Sequence, residues 1–451
     1  MNSNPGFFDR TLANLRSAWR SIARSDAKLE LSADLPEGEL EALRECIRAC
    51  LAGKGGEVSA RGRAAELGEA YLGLSDTGKL NFFNLLVDEF SIDQSALQAA
   101  LTAHVECTTQ DERLAGESRL RSLLTPAYLR LLTQFNALPQ GVKFLVDLRA
   151  DLLRLRGDDA RLTALDEQLC QRLESWFDIG FLELRRITWE APAALLERLI
   201  HYEAVHAVSS WDDLKNRLAA DRRCFAFFHP NMPDEPLIFV WVALLPEMAG
   251  SVQALLERGE SPAQEAQTAT TAIFYSISNT QVGLQGVSLG NFLIKRVVNA
   301  LRAELPQLKT FATLSPIPGF ARWLQAALDE DDSLLDGDSR ELLASDGWAD
   351  DAERAAQLEK VLKPLCARYL VSEKRGQRAR DPVAHFHLSN GALIERINWL
   401  GDRSAKGMAN AHGLMVNYLY ELDEIDRHHE RYSESFTVGT SREVRALADK
   451  G

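Results

Sequence analysis

The sequence predicts an α+β protein of two domains: an all-α helical bundle over residues 1–176, followed by a mixed α/β domain over 177–451. Apolar residues recur at three- and four-residue spacing through the first part, as in Leu40, Leu43, Ile47 and Leu51, then Leu148, Leu152, Leu153 and Leu155. The loops between these runs are short and polar, such as Ala52–Glu57 and Arg156–Ala160, which is the pattern of a bundle. From Cys224 onward, short β-branched and aromatic runs alternate with helical ones, the pattern of a mixed sheet.

Composition narrows the class. With 46% apolar and 26% charged residues, 451 residues suffice to bury two cores. A formal charge of -14 argues against broad nucleic-acid binding, because a phosphate backbone needs a basic face. No apolar run is long enough to cross a bilayer, and Leu237–Leu245 falls far short, so no membrane partner is expected. Cys46, Cys50, Cys107, Cys170, Cys224 and Cys366 form no CxxC pair and have no histidines at metal-ligand spacing. Reduced thiols, no structural metal and a cytoplasmic setting are the expectation.

Along the chain, Phe7–Ala23 is rich in arginine and poor in acid, a composition shared with transit peptides; we read it as a first amphipathic helix. His104 is the only histidine of the bundle, and nothing there looks catalytic. In the second half, Cys224–His229, Pro236–Leu245, Ala272–Ser278 and Thr310–Ser315 read as strands, the first two as a hairpin. Three prolines make His229–Pro236 a turn between them. Residues 290–304 and 319–328 read as helices. Leu328–Asp338 reads as an acidic loop and Val371–Asp381 as a basic connector.

Two stretches carry candidate chemistry. Thr313-Leu-Ser315-Pro-Ile-Pro-Gly-Phe320 follows a strand, and Pro316 and Pro318 are expected to end its ladder and leave Ser315 at the exit. Upstream, Gln285-Gly286-Val287-Ser288-Leu289-Gly290-Asn291 is a turn running into a helix, where unpaired N–H groups can hold a phosphate. His385-Phe386-His387 alternates as a strand would, putting both histidines on one face; a proton-transfer role suits one of them better than zinc, since no third ligand lies nearby.

The turn at Gln285–Gly290 resembles the pyrophosphate-binding turn of the acyl-CoA N-acetyltransferase (GNAT) fold, Gln/Arg-x-x-Gly-x-Gly/Ala, with Ser288 at the middle glycine position. Together, Phe228–Leu237, Phe274–Ser278, Gln285–Lys295, Leu314–Phe320, Phe386–Gly391 and Asn417–Tyr420 resemble the malonyl-CoA decarboxylase family over almost the whole chain. That resemblance implies a helical domain ahead of a GNAT-like catalytic domain, a tetramer, and no metal or organic cofactor. It places the catalytic pair on Ser315 and His387, a supporting tyrosine on Tyr420, and the coenzyme A turn on Gln285–Asn291. Where the family often has glutamate, this chain has Ser288. The implied function is conversion of malonyl-CoA to acetyl-CoA and carbon dioxide; an acyl-CoA-dependent N-acyltransferase and a non-catalytic acyl-CoA sensor are the alternatives. The carboxyl-terminal Ala446–Gly451 carries no peroxisomal address, which again points to the cytoplasm.

Overall fold

The computed structural model describes residues 29–53, 56–257, 263–287 and 293–450, together with Leu15 and Trp19. The expected helix at Phe7–Ala23 lies outside these residues apart from those two side chains. The chain divides into two compact units: Met1–Leu182 with His229–Pro233 and Gln281–Leu289, and Glu183–Phe228 with Asp234–Thr280 and Gly290–Gly451.

The first unit is helical. Two of its helices start where short polar side chains take up free N–H groups: Ser75 caps α1 (Asp76–Glu89) by accepting from Gly78 N, and Asp159 caps α4 (Ala160–Trp176) by accepting from Arg161 N. Between them, α2 (Ala127–Phe135) and α3 (Gly141–Leu155) meet so closely that a β-carbon on Gly141 would lie 1.7 Å from the Phe135 carbonyl oxygen. Only glycine fits there. Trp19 fills the aromatic core against Phe135 and Phe144, and its indole N–H donates to Pro139 O at 2.8 Å.

Arg149 on α3 organises the rest of this unit. Its Nε donates to Asp166 on α4 at 2.7 Å, and Nη1 donates to the carbonyls of Gly283 and Gln285 at 2.8 and 2.7 Å. One buried guanidinium thus fixes residues more than a hundred positions away, so Gln285, Gly286 and Val287 cluster with the helical unit.

The second unit is built on an eight-stranded sheet. Its strands are β1 (Glu183–Ile187), β2 (Arg222–His229), β3 (Met232–Leu245), β4 (Thr271–Asn279), β5 (Thr310–Thr313), β6 (Ser315–Pro316), β9 (Leu393–Asn398) and β10 (Met415–Leu419). The order is β1-β2-β3-β4-β5-β10-β6, with β9 also on β10. Among the described strands only β4 and β5 pair in parallel, and α6 (Leu293–Glu304) lies between them in the chain, while α5 (Ala193–Tyr202) packs on the apolar face. α7 (Phe320–Glu330) and α8 (Ala352–Val371) follow, and a small hairpin, β7 (Lys374–Arg375) and β8 (Arg378–Ala379), leads into α9 (Pro382–Ser389).

Several expectations change here. The turn between β2 and β3 is only Pro230-Asn231, because β3 already begins at Met232 and includes Pro233 and Pro236. Both prolines precede Ile238, where pairing with β4 starts, and the Pro236 carbonyl still accepts a bond from Thr280 Oγ1. Leu328–Asp338 is not all loop: α7 extends to Glu330, Asp332–Leu334 is a turn of 3₁₀ helix and a further helix spans Gly337–Ala344. The basic connector folds as the β7–β8 hairpin.

Arg149→Ala should lower the free energy of unfolding by about 3–5 kcal/mol, because it leaves Asp166 charged and unpaired in the interior. Denaturant titration checks this, and a loss below about 1 kcal/mol would contradict the organising role.

Candidate active site

The site forms where β4 and the chain after β5 part. Their parallel pairing ends at Phe274 and Thr313, and Leu314 N donates to Phe274 O at 2.9 Å as the last link. Beyond it, Ser315-Pro316 stays paired with β10, opposite Val416 and Met415, as Ala312 is opposite Leu419. Pro316 therefore does not end the ladder with β10, as expected from sequence, but continues it in the register already set by Ala312 opposite Leu419; only the pairing with β4 ends, and on that open side a missing N–H costs little. The gap left between β4 and β6 is a cavity of about 230 Å³, closed on its third side by α9.

The second correction concerns His385–His387. They lie in α9, not a strand, because Asp381 accepts bonds from Val383 N and Ala384 N and Pro382 occupies the first helical turn. Neighbours two apart on a helix point to opposite sides. His385 Nδ1 meets the Tyr432 hydroxyl at 3.0 Å, while His387 turns into the cavity wall, 3% exposed. A pair of histidines sharing one face is thereby removed.

Four side chains form one hydrogen-bonded line. Tyr420 Oη lies 2.8 Å from His387 Nδ1, His387 Nε2 lies 3.2 Å from Ser315 Oγ, and Ser315 Oγ donates to Thr313 Oγ1 at 2.8 Å. Thr313 Oγ1 also accepts from Tyr418 N at 3.1 Å. Tyr418 stacks on the imidazole, with ring centroids 4.5 Å apart and planes 26° apart. Burial pushes the Tyr420 phenol well above its ordinary value, so it remains a donor, and burial pulls His387 down to about 3, so it remains neutral. With Tyr420 donating to Nδ1, the one imidazole proton sits on Nε2, facing Ser315.

The strand β10 makes this alignment possible. Asn417, fully buried, donates to Thr313 O and Ala249 O and accepts from Arg396 Nε and Asn398 Nδ2, which locks β10 against the end of β5. Tyr418 and Tyr420, two apart near its end, then both reach His387.

Sequence reasoning brought Ser315, His387 and Tyr420 to notice, and the structure joins them. Of the proposed phosphate turn, Gln285, Gly286 and Val287 are placed: they follow a 3₁₀ turn at Val282–Leu284, with Gly286 at φ +82°. Ser288, Leu289, Gly290 and Asn291 lie outside the described residues. Sequence reasoning missed Ser276 of β4, a cavity-lining hydroxyl that donates to Glu203 at 2.8 Å. Glu203 also accepts from Trp241 Nε1, Val205 N and His206 N. The signal was the serine pair, Ser276 and Ser278, on one face of an otherwise apolar strand. Among the described residues, no group of three or more His, Cys, Asp or Glu side chains could hold a metal ion.

Comparison with known proteins fits this arrangement. Family models described as the malonyl-CoA decarboxylase N-terminal and C-terminal domains match residues 90–177 and 180–450. A mitochondrial malonyl-CoA decarboxylase of Anser anser anser is 38% identical over 415 residues, covering 85% of this chain and 82% of its own. The Rattus norvegicus protein of the same name is 36% identical over 420 residues, 86% of this chain and 85% of its own. Crystal structures of malonyl-CoA decarboxylase from Rhodopseudomonas palustris and Agrobacterium vitis superpose with TM-scores of 0.84 and 0.83, at 41% and 42% identity, each covering 90% of this chain and 99% of theirs. The chain belongs to the malonyl-CoA decarboxylase family.

Because His387 takes up a proton in the unfolded chain near 6.5 but in the native protein only near 3, the native state loses stability as pH falls below 6.5. Replacing it by Gln should reduce the loss between pH 7.5 and 5.5 by about 1.4 kcal/mol, the value of one pH unit. Equal losses in both proteins, measured by denaturant titration, would contradict a buried neutral imidazole.

Proposed function

We propose that this protein decarboxylates malonyl-CoA to acetyl-CoA and carbon dioxide, with Ser315, His387 and Tyr420 as the catalytic side chains. The observation that carries this reading is the line Tyr420–His387–Ser315 on the wall of a cavity whose other lining is largely apolar, including Phe274, Ile277, Leu314, Val383 and Phe386.

Breaking the bond between carbon two and the malonyl carboxylate leaves its electron pair on carbon two, delocalised over the thioester as an enolate. The thioester is therefore the electron sink, and neither metal nor organic cofactor is needed. With substrate bound, the Ser315 hydroxyl turns its proton from Thr313 Oγ1 to the malonyl carboxylate and holds it in the orientation that aligns the breaking bond with the thioester π system. A dry cavity favours the loss, because water would stabilise the ionised carboxylate more than the dispersed charge of the enolate. We assign stabilisation of the enolate oxygen to backbone N–H groups near the point where β4 and β5 part.

Carbon two then takes the proton on His387 Nε2. The Tyr420 proton passes to Nδ1 as the Nε2 proton leaves, so the imidazole stays neutral, and water returns a proton to the phenolate. The sum is one malonyl thioester plus one proton giving acetyl thioester and carbon dioxide. Gln285–Asn291 is the stretch we assign to the coenzyme A pyrophosphate, supported by the turn conformation at Gly286.

We further propose a homo-tetramer formed through the helical unit, supported by the exposed apolar side chains Leu101, Val105, Leu114 and Leu124. A cytoplasmic site of action is supported by six unpaired cysteines, which suit a reducing compartment. No helix among the described residues is long and apolar enough to cross a membrane.

Purified protein given malonyl-CoA and no acceptor should release carbon dioxide stoichiometrically with acetyl-CoA; an N-acyltransferase would leave the thioester intact. His387→Ala should abolish turnover while coenzyme A still binds, and Ser315→Ala should lower kcat by about a hundredfold, the effect of losing one aligned polar group. Equal loss of binding and turnover in both variants would mark these residues as structural.

A further inference from the structure

Asp381 is fully buried immediately ahead of the helix that carries His387. One oxygen, Oδ1, accepts from Val383 N at 2.9 Å and Ala384 N at 3.0 Å, which completes the cap of α9. A serine would do that much without burying a charge. The other oxygen faces the chain that follows Ser315. Tyr369 Oη lies 3.4 Å from Oδ2, and the backbone of Gly319, four residues beyond Ser315, faces the carboxylate, its N–H helping to favour the ionised form. The approach is close: a β-carbon on Gly319 would lie 2.2 Å from Tyr369 Oη and 3.7 Å from Oδ2. A single carboxylate therefore touches both segments that bear the site, the turn after Ser315 and the start of α9.

We propose that Asp381 is a positioning residue for this reaction, whose ionised carboxylate ties the amino end of α9 to Gly319 and so sets the separation of His387 from Ser315. The inference rests on the decarboxylase reading above. Protonation would put a hydrogen on one of two oxygens that now face N–H donors, so the neutral acid cannot hold both ends. Burial raises Asp381 to about 6, although the surrounding N–H groups oppose this. The titratable groups facing it are Tyr369 and Cys366 from α8 and Tyr418 from β10, and burial pushes all three upward, away from this range. Arg380 is beside it in sequence. Asp381 is thus the group of this cluster that changes charge in mildly acid solution. Turnover is retained above its pKa and lost as pH falls through it.

The test is the pH dependence of kcat and KM for malonyl-CoA in the full-length protein, its Asp381→Asn variant and its Asp381→Ser variant. Wild-type kcat should fall on the acid side with an apparent pKa near 6, towards the residual kcat of the Asp381→Asn variant. Both variants should lose about tenfold or more in kcat at pH 7.5 with KM within about twofold, and their residual kcat should not fall on the acid side. A role confined to helix capping predicts instead that Asp381→Ser keeps wild-type kcat, which would overturn the proposal. So would an acid limb retained in Asp381→Asn, or a rise in KM as large as the loss of kcat. Should neither variant fold, the wild-type profile still decides, because kcat flat from about pH 5 to 8 excludes a clamp that titrates. A wild-type protein that releases no carbon dioxide at any pH refutes the decarboxylase reading itself and takes this proposal with it.

Discussion

A neutral imidazole held between two hydroxyls is the constraint on which the site depends. His387 can donate at Nε2 only because Tyr420 occupies Nδ1, and Nε2 faces Ser315 only because Thr313 takes the serine proton in turn. Each member is buried, so water cannot substitute for a missing partner. Burial supplies the other half of the effect, keeping the phenol protonated and the imidazole uncharged at neutral pH.

The sheet exists in a form that serves this line. Parallel strands β4 and β5 would close on each other if they continued, but past Leu314 the chain parts from β4 and keeps only its pairing with β10. That parting opens the cavity and leaves Ser315 at its edge, while Asn417 fixes β10 against Thr313 from behind. The fully buried amide of Asn417 meets four polar partners, so the strand that supplies both Tyr418 and Tyr420 has little freedom to shift. In the helical unit, Arg149 acts on a comparable scale, bringing Asp166 and two distant backbone carbonyls to one point.

Much of this was legible in the sequence, by different routes. Helical spacing before Trp176 and β-branched runs after Cys224 indicated the two kinds of structure, since each rests on local periodicity. Ser315, His387 and Tyr420 came to notice through resemblance to a family; no local pattern says that residues 72 and 33 positions apart will touch. The misreading of His385–His387 as a strand is instructive. Alternation over three residues is weak evidence, whereas Asp381-Pro382 ahead of it is a helix-start signal with a physical mechanism, and that signal prevailed. The prolines of β3 misled in the opposite sense, because a proline carbonyl can accept a bond even where its nitrogen cannot donate. Glu203 behind Ser276 had no sequence signature at all, its partners being gathered from two strands and the loop that follows it.

The protonation of His387 is the point at which these arguments meet, and nitrogen NMR of protein labelled with ¹⁵N-histidine measures it directly, with His387→Gln to assign the resonance. The arrangement predicts a neutral ring protonated at Nε2, unchanged as the solution is taken from neutral to about pH 5. A ring protonated at Nδ1, or an imidazolium forming near pH 6.5, would contradict the account.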